Sequence, residues 1–151
     1  MAIRSPPILI RNFEPGDLVD VTVLANSSMT EYYGENLIHE LYVQWPEAFL
    51  VAESGKEIVG FICGSQYSRS ESRVLLLAVR RDSRRYGIGR TLMERFEKIS
   101  RDSGMMGIRL EVRKDNEGGI AFYRGLGFSV TATLIAYYSD LSDAFVMWKL
   151  L

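Results

Sequence analysis

The most informative stretch of this sequence is Arg84-Arg85-Tyr86-Gly87-Ile88-Gly89-Arg90. It follows an apolar run, Val74–Val79, and precedes a segment whose apolar residues recur at the spacing of one helical face: Ile88, Leu92, Phe96 and Ile99. The order is therefore strand, basic glycine loop, helix. The N-terminus of a helix offers free backbone N–H groups and the positive end of the helix dipole, which together favour an anion. Glycines let a ligand approach the backbone closely, so this stretch predicts a pyrophosphate site.

Other phosphate motifs fit this stretch less well. A dinucleotide fingerprint would need a third glycine where Leu92 stands, and a P-loop would need Gly-Lys-Ser/Thr. A solvated basic helix start is the structural alternative. Five arginines lie between Arg80 and Arg90, yet the formal net charge of the chain is −1. Local charge without a global basic field favours a small polyanion such as CoA and disfavours a nucleic-acid partner.

Composition narrows the class of protein. The chain has 151 residues, of which 47% are hydrophobic, and we expect one domain with a real core. No apolar run approaches the ~20 residues of a membrane helix, and residues 1–7 lack the apolar segment of a signal peptide. The one cysteine, Cys63, cannot form an internal disulfide, which favours the cytoplasm. With His39 as the one histidine, we expect no metal site.

The periodicities predict an α/β fold with a mixed sheet and helices on both faces. The fourth strand is continuously apolar, so we expect burial on both of its faces. Predicted strands cover Ile8–Phe13, Ala48–Ser54, Glu57–Gln66, Val74–Arg80, Gly107–Arg113, Phe128–Tyr138 and Ala144–Leu150. Predicted helices cover Leu18–Ala25, Glu31–Val43, Gly87–Asp102 and Asn116–Leu126.

Four motifs in this order resemble the GNAT acetyltransferases: the Arg84–Arg90 loop, the Leu110–Arg113 strand with Asn116, the Ala121–Phe128 segment, and the tail Tyr137–Met147. The tail resembles the YY-x-D-x-x-DA-x-x-M hairpin of the NatA-type catalytic subunit and its archaeal and bacterial relatives. Met29-Thr30-Glu31-Tyr32-Tyr33 occupies the place of the L-P-x-x-Y loop, with threonine instead of proline. The resemblance implies a single GNAT domain over residues 1–151, with a mixed, mostly antiparallel sheet of about seven strands.

The resemblance also implies a reaction and its ligands. An enzyme of this branch transfers acetyl from acetyl-CoA to the N-terminal α-amine of a protein by direct attack on the thioester, and releases coenzyme A. The residues implied in cofactor binding are Leu77, Ala78, Val79, Arg84, Arg85, Tyr86, Gly87, Ile88, Gly89, Arg90, Asn116 and Tyr123. Those implied in binding the acceptor are Glu31, Tyr32, Tyr33, Tyr137 and Tyr138. Because adjacent strand residues point to opposite faces, we expect one of the last two to line the slot.

The chemistry requires a neutral amine, a stabilised oxyanion and a proton for the leaving thiolate. Glu111 is the first candidate base; the alternative is a carboxylate on the outer face of its strand. Glu31 is the second candidate; the alternative is a carboxylate that favours a helix start. Tyr123 is the candidate acid, and it lies two helical turns after Asn116, so both can face one ligand. The alternative is a half-buried core tyrosine.

Three other functions stay open at this point. The first is acetylation of lysine or of a small amine on the same fold, and the second is non-catalytic acyl-CoA binding. The third and least favoured is nucleic-acid binding through the Arg80–Arg90 cluster, which would show a steeply salt-dependent affinity. The partners expected for the favoured function are protein or peptide N-termini. An auxiliary or ribosomal partner stays open, whereas nucleic acid and membrane are not expected.

Overall fold

The computed structural model describes residues 7–151, in which seven strands and four α-helices form one sheet with flanking helices. Residues 1–6, part of the segment that was expected to lack a signal peptide, lie outside the described residues. The strands are β1 (Ile8–Asn12), β2 (Leu50–Ser54), β3 (Glu57–Gln66), β4 (Glu71–Val79), β5 (Gly107–Arg113), β6 (Ser129–Leu134) and β7 (Ala144–Leu150). The helices are α1 (Leu18–Ser28), α2 (Glu35–Gln44), α3 (Ile88–Asp102) and α4 (Glu117–Gly125).

The strand order is β1-β2-β3-β4-β5-β7-β6. Every neighbouring pair is antiparallel except β4 and β5, which are parallel. The predicted mixed, mostly antiparallel sheet of about seven strands is therefore confirmed. No helix within residues 7–151 is long and apolar enough to cross a membrane.

Helices cover both faces of the sheet, as predicted. Alternate residues of one strand point to opposite faces, so Phe49 and Val51 pack with α1 and α2, whereas Leu50 and Ala52 pack with α3. The helical face predicted for α3 is also confirmed. Its residues Ile88, Leu92 and Phe96 are buried in the same cluster as Leu50 and Ala52, and Ile99 packs against that cluster.

The sheet forks between β4 and β5. The two strands pair only over Glu71–Arg73 and Gly107–Arg109, after which β4 continues with β3 and β5 continues with β7. A bulge at Leu75 shifts the register between β4 and β3 at this point, and bulges bend a strand and increase its twist. The arms therefore diverge and leave a gap within the sheet.

The prediction that both faces of the fourth strand, β4, are fully buried was wrong. Residues of β4 alternate between buried and partly exposed, and the partly exposed ones include Leu75, Leu77 and Val79. These side chains border the gap at the fork, where no helix covers them completely. The strand is apolar because its side chains pack into the hydrophobic clusters on both faces of the sheet and also line the cleft.

Two elements differ from their predicted bounds by four residues at one end. Helix α2 begins at Glu35 instead of Glu31, because the Asn26 side chain binds both the N–H and the C=O of Tyr33 at 2.7 Å and fixes a loop there. Strand β6 ends at Leu134, not at Tyr138. Residues 135–143 leave the sheet as a second loop, in which two non-glycine residues, Ala136 and Leu141, have positive φ.

Candidate functional site

A single cleft of about 1250 Å³ passes through the fork of the sheet. The basic glycine loop lies at one end and the two loops at residues 29–34 and 135–143 lie at the other. The cleft brings together every predicted site residue except Tyr86: Glu31, Tyr32, Tyr33, Leu77, Ala78, Val79, Arg84, Arg85, Gly87, Ile88, Gly89, Arg90, Glu111, Asn116, Tyr123, Tyr137 and Tyr138.

The glycine-loop end has a backbone geometry that suits an anion. Arg85 and Gly87 both have left-handed backbones, with φ of 81° and 75°, and Gly87 caps the N-terminus of the 15-residue helix α3. Successive N–H groups in such turns form an anion-binding concavity, and the first N–H groups of α3 extend it. Arg84 is held at its rim, where Nε donates to the carbonyl oxygen of Val79 at 3.0 Å.

Tyr86 does not line the cleft. It borders a separate depression together with Arg81, Asp82, Arg84 and Arg85. The sequence offered no means to separate Tyr86 from its neighbours in the loop.

Helices α3 and α4 approach closely at the glycine-loop end. A Cβ atom at Gly89 would lie 3.3 Å from Cζ of Phe122, so the small residue permits this contact. Asn116 caps α4, since its Oδ1 accepts a hydrogen bond from the N–H of Gly119 at 2.9 Å. The cleft-side edge of β4 has no strand partner beyond Arg73 within the described residues. Its backbone there is open to an extended ligand.

Tyr123 lies midway along the cleft. Its ring contacts those of Phe122 and Phe128, with centroids 5.1 and 5.9 Å away. Burial raises the pKa of the Tyr123 phenol to about 12. The group therefore keeps its proton at neutral pH, which a general acid requires. Its role as the acid stays a prediction.

Glu111 lies inside the cleft, with only 7% of its side chain exposed. The alternative of a carboxylate on the outer face of the strand is therefore wrong. One oxygen accepts from Nε of Arg73 at 2.9 Å and the other from Nη2 of Arg109 at 3.1 Å. A carboxylate has about four lone pairs, so both oxygens can still accept from a water or an amine. Its role as the base stays a prediction.

Glu31 is tied to the opposite loop. Its carboxylate accepts from the backbone N–H of Ser139 at 2.9 Å and from the Ser139 hydroxyl at 2.7 and 2.9 Å. These hydrogen bonds hold the pKa of Glu31 below its ordinary value. The helix-start alternative is wrong, because Glu31 lies four residues before the first residue of α2, Glu35.

Arg113 joins the same two loops. Its Nη1 donates to Oγ1 of Thr30 at 3.2 Å, and its Nη2 donates to Oγ of Ser142 at 2.7 Å and pairs with Asp140. The guanidinium also lies over the ring of Tyr138, 4.8 Å from the centroid. With the contacts of Glu31 to Ser139, they bridge the end of the cleft that lies between the two loops, which was predicted to bind the acceptor.

Tyr137 and Tyr138 both line the cleft, so the expectation that only one would do so is wrong. They belong to the loop after β6 and not to a strand, so strict alternation does not apply. Their rings meet edge to face with centroids 5.0 Å apart. Burial is the main cause that raises the pKa of Tyr138 to about 12.

Sequence reasoning missed three contacts of this site: those made by Arg73, Arg113 and Ser139. Arg73 was visible as a charged residue directly before the apolar run of β4, and Ser139 stands within the Tyr-Tyr-Ser-Asp motif. Among residues 7–151, no three potential metal ligands come together. Cys63 is fully buried, and burial raises the pKa of its thiol to about 12, in agreement with a packing role.

Comparisons with known proteins agree with this geometry. The structure of Ard1 from Thermoplasma volcanium is similar, with a TM-score of 0.93 and 46% identity over 95% of this chain and 97% of that chain. Chaetomium thermophilum Naa20, solved with a bisubstrate analogue, gives a TM-score of 0.86 and 29% identity over 95% and 86%. An N-alpha-acetyltransferase of Saccharolobus solfataricus is 30% identical over 91% of this chain and 90% of its own length. Residues 18–128 match the acetyltransferase (GNAT) family, and the chain belongs to that family.

Proposed function

We propose that this protein transfers the acetyl group of acetyl-CoA to the N-terminal α-amine of proteins. The observation that carries the proposal is the continuous cleft, which joins an anion-binding loop to a bridged acceptor end through the fork of the sheet. The names of the relatives support it, since one is called an N-alpha-acetyltransferase.

In this proposal the cofactor lies along β4. Its pyrophosphate binds at the Arg84–Arg90 loop, and its pantetheine chain bonds the open backbone of Leu77, Ala78 and Val79. The thioester then lies near Tyr123, whose phenol gives its proton to the departing thiolate. The acceptor amine enters from the opposite end and attacks the thioester carbon directly, without a covalent enzyme intermediate.

The acceptor end favours a chain terminus over an internal lysine. The Glu31–Ser139 hydrogen bonds close one side of this end, and the Arg113 contacts to both loops close another. A free N-terminus can enter such a slot because the chain continues from it in one direction only. A mid-chain lysine is flanked by chain on both sides, which should clash with the two loops. The ordinary pKa of an α-amine is near 8 and that of lysine near 10.4, so at neutral pH the α-amine is neutral about a few hundred times more often.

The cleft of this chain carries residues for each proposed role, namely cofactor binding, proton transfer and acceptor binding. We therefore expect it to acetylate peptides by itself, and an auxiliary or ribosomal partner to raise that activity instead of supplying it. We place the reaction in the cytoplasm, because a chain with one buried cysteine gains nothing from an oxidising compartment.

Mass-spectrometric mapping of acetyl groups tests the acceptor. The substrate is a peptide with a free N-terminus and an internal lysine, and the controls are the same peptide blocked at its N-terminus and a small diamine. We expect modification of the α-amine, with little on the blocked peptide. Preferential lysine or diamine modification would support the alternative acceptor, and no acetyl-CoA turnover with any amine would favour a non-catalytic acyl-CoA-binding protein.

A further inference from the structure

Arg73 occupies the last paired position of β4 before the fork, opposite Arg109 of β5. From there its side chain crosses the gap to the other arm. Nε donates to Oε2 of Glu111 at 2.9 Å, and Nη2 donates to the hydroxyl of Tyr137 at 3.0 Å. One guanidinium thus joins β4, β5 and the loop at residues 135–143.

The contact lies where the backbone no longer fixes the geometry. Beyond Arg73, no ladder hydrogen bonds join β4 to β5 within the described residues, and the distance between the arms grows. The ion pair between Arg73 and Glu111 therefore links the two arms of the sheet at the point where they begin to separate. A planar guanidinium can hold two partners in fixed directions, which a lysine ammonium cannot do.

Of the two arginines that contact the Glu111 carboxylate, Arg73 lies in the cleft and Arg109 does not, so Arg73 is the one that can orient the carboxylate along the cleft. Arg109 approaches from the same strand and stacks on the ring of Tyr67, 4.3 Å from the centroid, outside the cleft lining. Tyr138 and Tyr137 face it from the loop, and Tyr137 reaches it through Arg73. Arg73 lines the cleft itself and contacts the carboxylate oxygen that Arg109 does not.

We propose that Arg73 is a positioning residue for acetyl transfer, which acts by aiming the Glu111 carboxylate at the acceptor amine and by coupling it to the Tyr137 hydroxyl. The inference rests on the proposed function, because it assumes that Glu111 meets the amine. It assigns no proton transfer to Arg73, which stays charged throughout. A misplacement of a reacting group by about 1 Å can cost roughly 10²-fold in rate, so Arg73→Gln should lower kcat by about 10- to 100-fold.

A purely structural role of Arg73 would give a different pattern, and a double-mutant cycle on kcat separates the two. The variants are Arg73→Gln, Glu111→Gln and the double variant, with CoA affinity and thermal unfolding measured on each. If Arg73 acts through Glu111, the double variant should be no slower than Glu111→Gln alone, within about 2-fold, because the effects of residues that act as a unit are not additive. Arg73→Lys, which keeps the charge but loses the fork, should recover only part of kcat.

Arg11 provides a matched control. Like Arg73 it is a strand arginine with two side-chain partners, here the carboxylates of Asp17 at 2.8 Å and Glu53 at 3.0 Å, but it lies on β1 away from the cleft. Arg11→Gln should leave kcat unchanged even if its melting temperature falls.

The inference would be overturned by wild-type kcat in folded Arg73→Gln or Arg73→Lys, or by losses that multiply in the double variant. If Arg73→Gln does not fold, the cycle runs with Arg73→Lys. Wild-type kcat in Glu111→Gln would overturn it too, since no path through Glu111 would exist. The cycle is measured on whichever amine the wild-type enzyme accepts, so failure of the α-amine assignment stays distinguishable from failure of Arg73.

Discussion

Replacing Tyr123 by phenylalanine removes the proposed acid and almost nothing else. The ring packs between Phe122 and Phe128, and a phenylalanine would keep these contacts. Burial is the one cause that raises the pKa of Tyr123, and no hydrogen bond contributes to it, so the change should leave no partner group unsatisfied. The fold should therefore persist with a change of less than about 0.5 kcal/mol in the free energy of unfolding.

The rate should fall much more than the stability. A positioned acid or base contributes about 10²–10⁴-fold, which is roughly 3–5 kcal/mol of barrier at 1.36 kcal/mol per tenfold. The pKa of Tyr123, about 12, also means that the wild-type acid stays protonated from pH 6 to 10, so its ionisation should produce no alkaline limb in that range.

Single-turnover acetyl transfer with saturating acetyl-CoA and peptide isolates the chemical step. It should be measured from pH 6 to 10 for the wild type and Tyr123→Phe, with urea unfolding as the control for the fold. A folded variant that keeps the wild-type single-turnover rate throughout would remove Tyr123 from the mechanism.

Three further results are expected. Gly89→Val should weaken CoA binding, measured by calorimetry, because the added side chain blocks the loop and presses on Phe122. Gly125→Val, where a Cβ meets open space, should not weaken it, and equal CoA affinity in the two variants would contradict the proposed CoA site. Of Glu111→Gln and Glu31→Gln, the variant that loses the base should lose rate most at low pH, where the amine is mostly protonated, and the other should mainly raise the peptide KM; full activity in both would leave self-ionisation of the amine as the better account. Burial raises the pKa of Tyr123 to about 12, whereas an unfolded tyrosine ionises near 10, so the native state holds more protons between these two pH values. The free energy of unfolding should therefore fall as pH rises from 10 to 12, and it should fall less steeply in Tyr123→Phe.

Elements with a regular pattern could be predicted from the sequence almost to the residue. The strands Glu57–Gln66, Gly107–Arg113 and Ala144–Leu150 match the prediction at both ends. Here local information decides, because apolar runs end at turn residues such as Gly55-Lys56, and the helical spacing after Gly87 leaves one face for the core.

The two loops at the acceptor end could not be predicted in this way. The helical pattern that begins at Glu35 was extended back through Tyr33, and the aromatic residues around Tyr137 favour a strand, so both elements were predicted too long. The loops are fixed instead by side chains distant in sequence: Glu31 binds Ser139, 108 residues away. Such pairs carry no periodicity, and a single sequence does not reveal them.

The same reason explains why the surroundings of Glu111 were missed. Its position in the strand could be predicted, but its burial depends on Arg73, 38 residues earlier, which reaches across the fork. The fork itself follows from a bulge at Leu75, and nothing in the run of leucines marks which residue bulges. Most of the residues that line the cleft were therefore predicted, whereas the contacts between them were not.

Those contacts bear on which amine the site can serve. The hydrogen bonds from Ser139 hold the pKa of Glu31 below its ordinary value, which makes Glu31 a weak proton acceptor. An ordinary glutamate lies roughly 3.5 pH units below an α-amine and about 6 below a lysine. A lower pKa of Glu31 widens both differences in pKa. The difference from lysine is already about 2.5 units larger than the difference from an α-amine. A site built around such a carboxylate therefore suits an amine that is already partly neutral, and the acceptor that meets this condition at neutral pH is the free N-terminus.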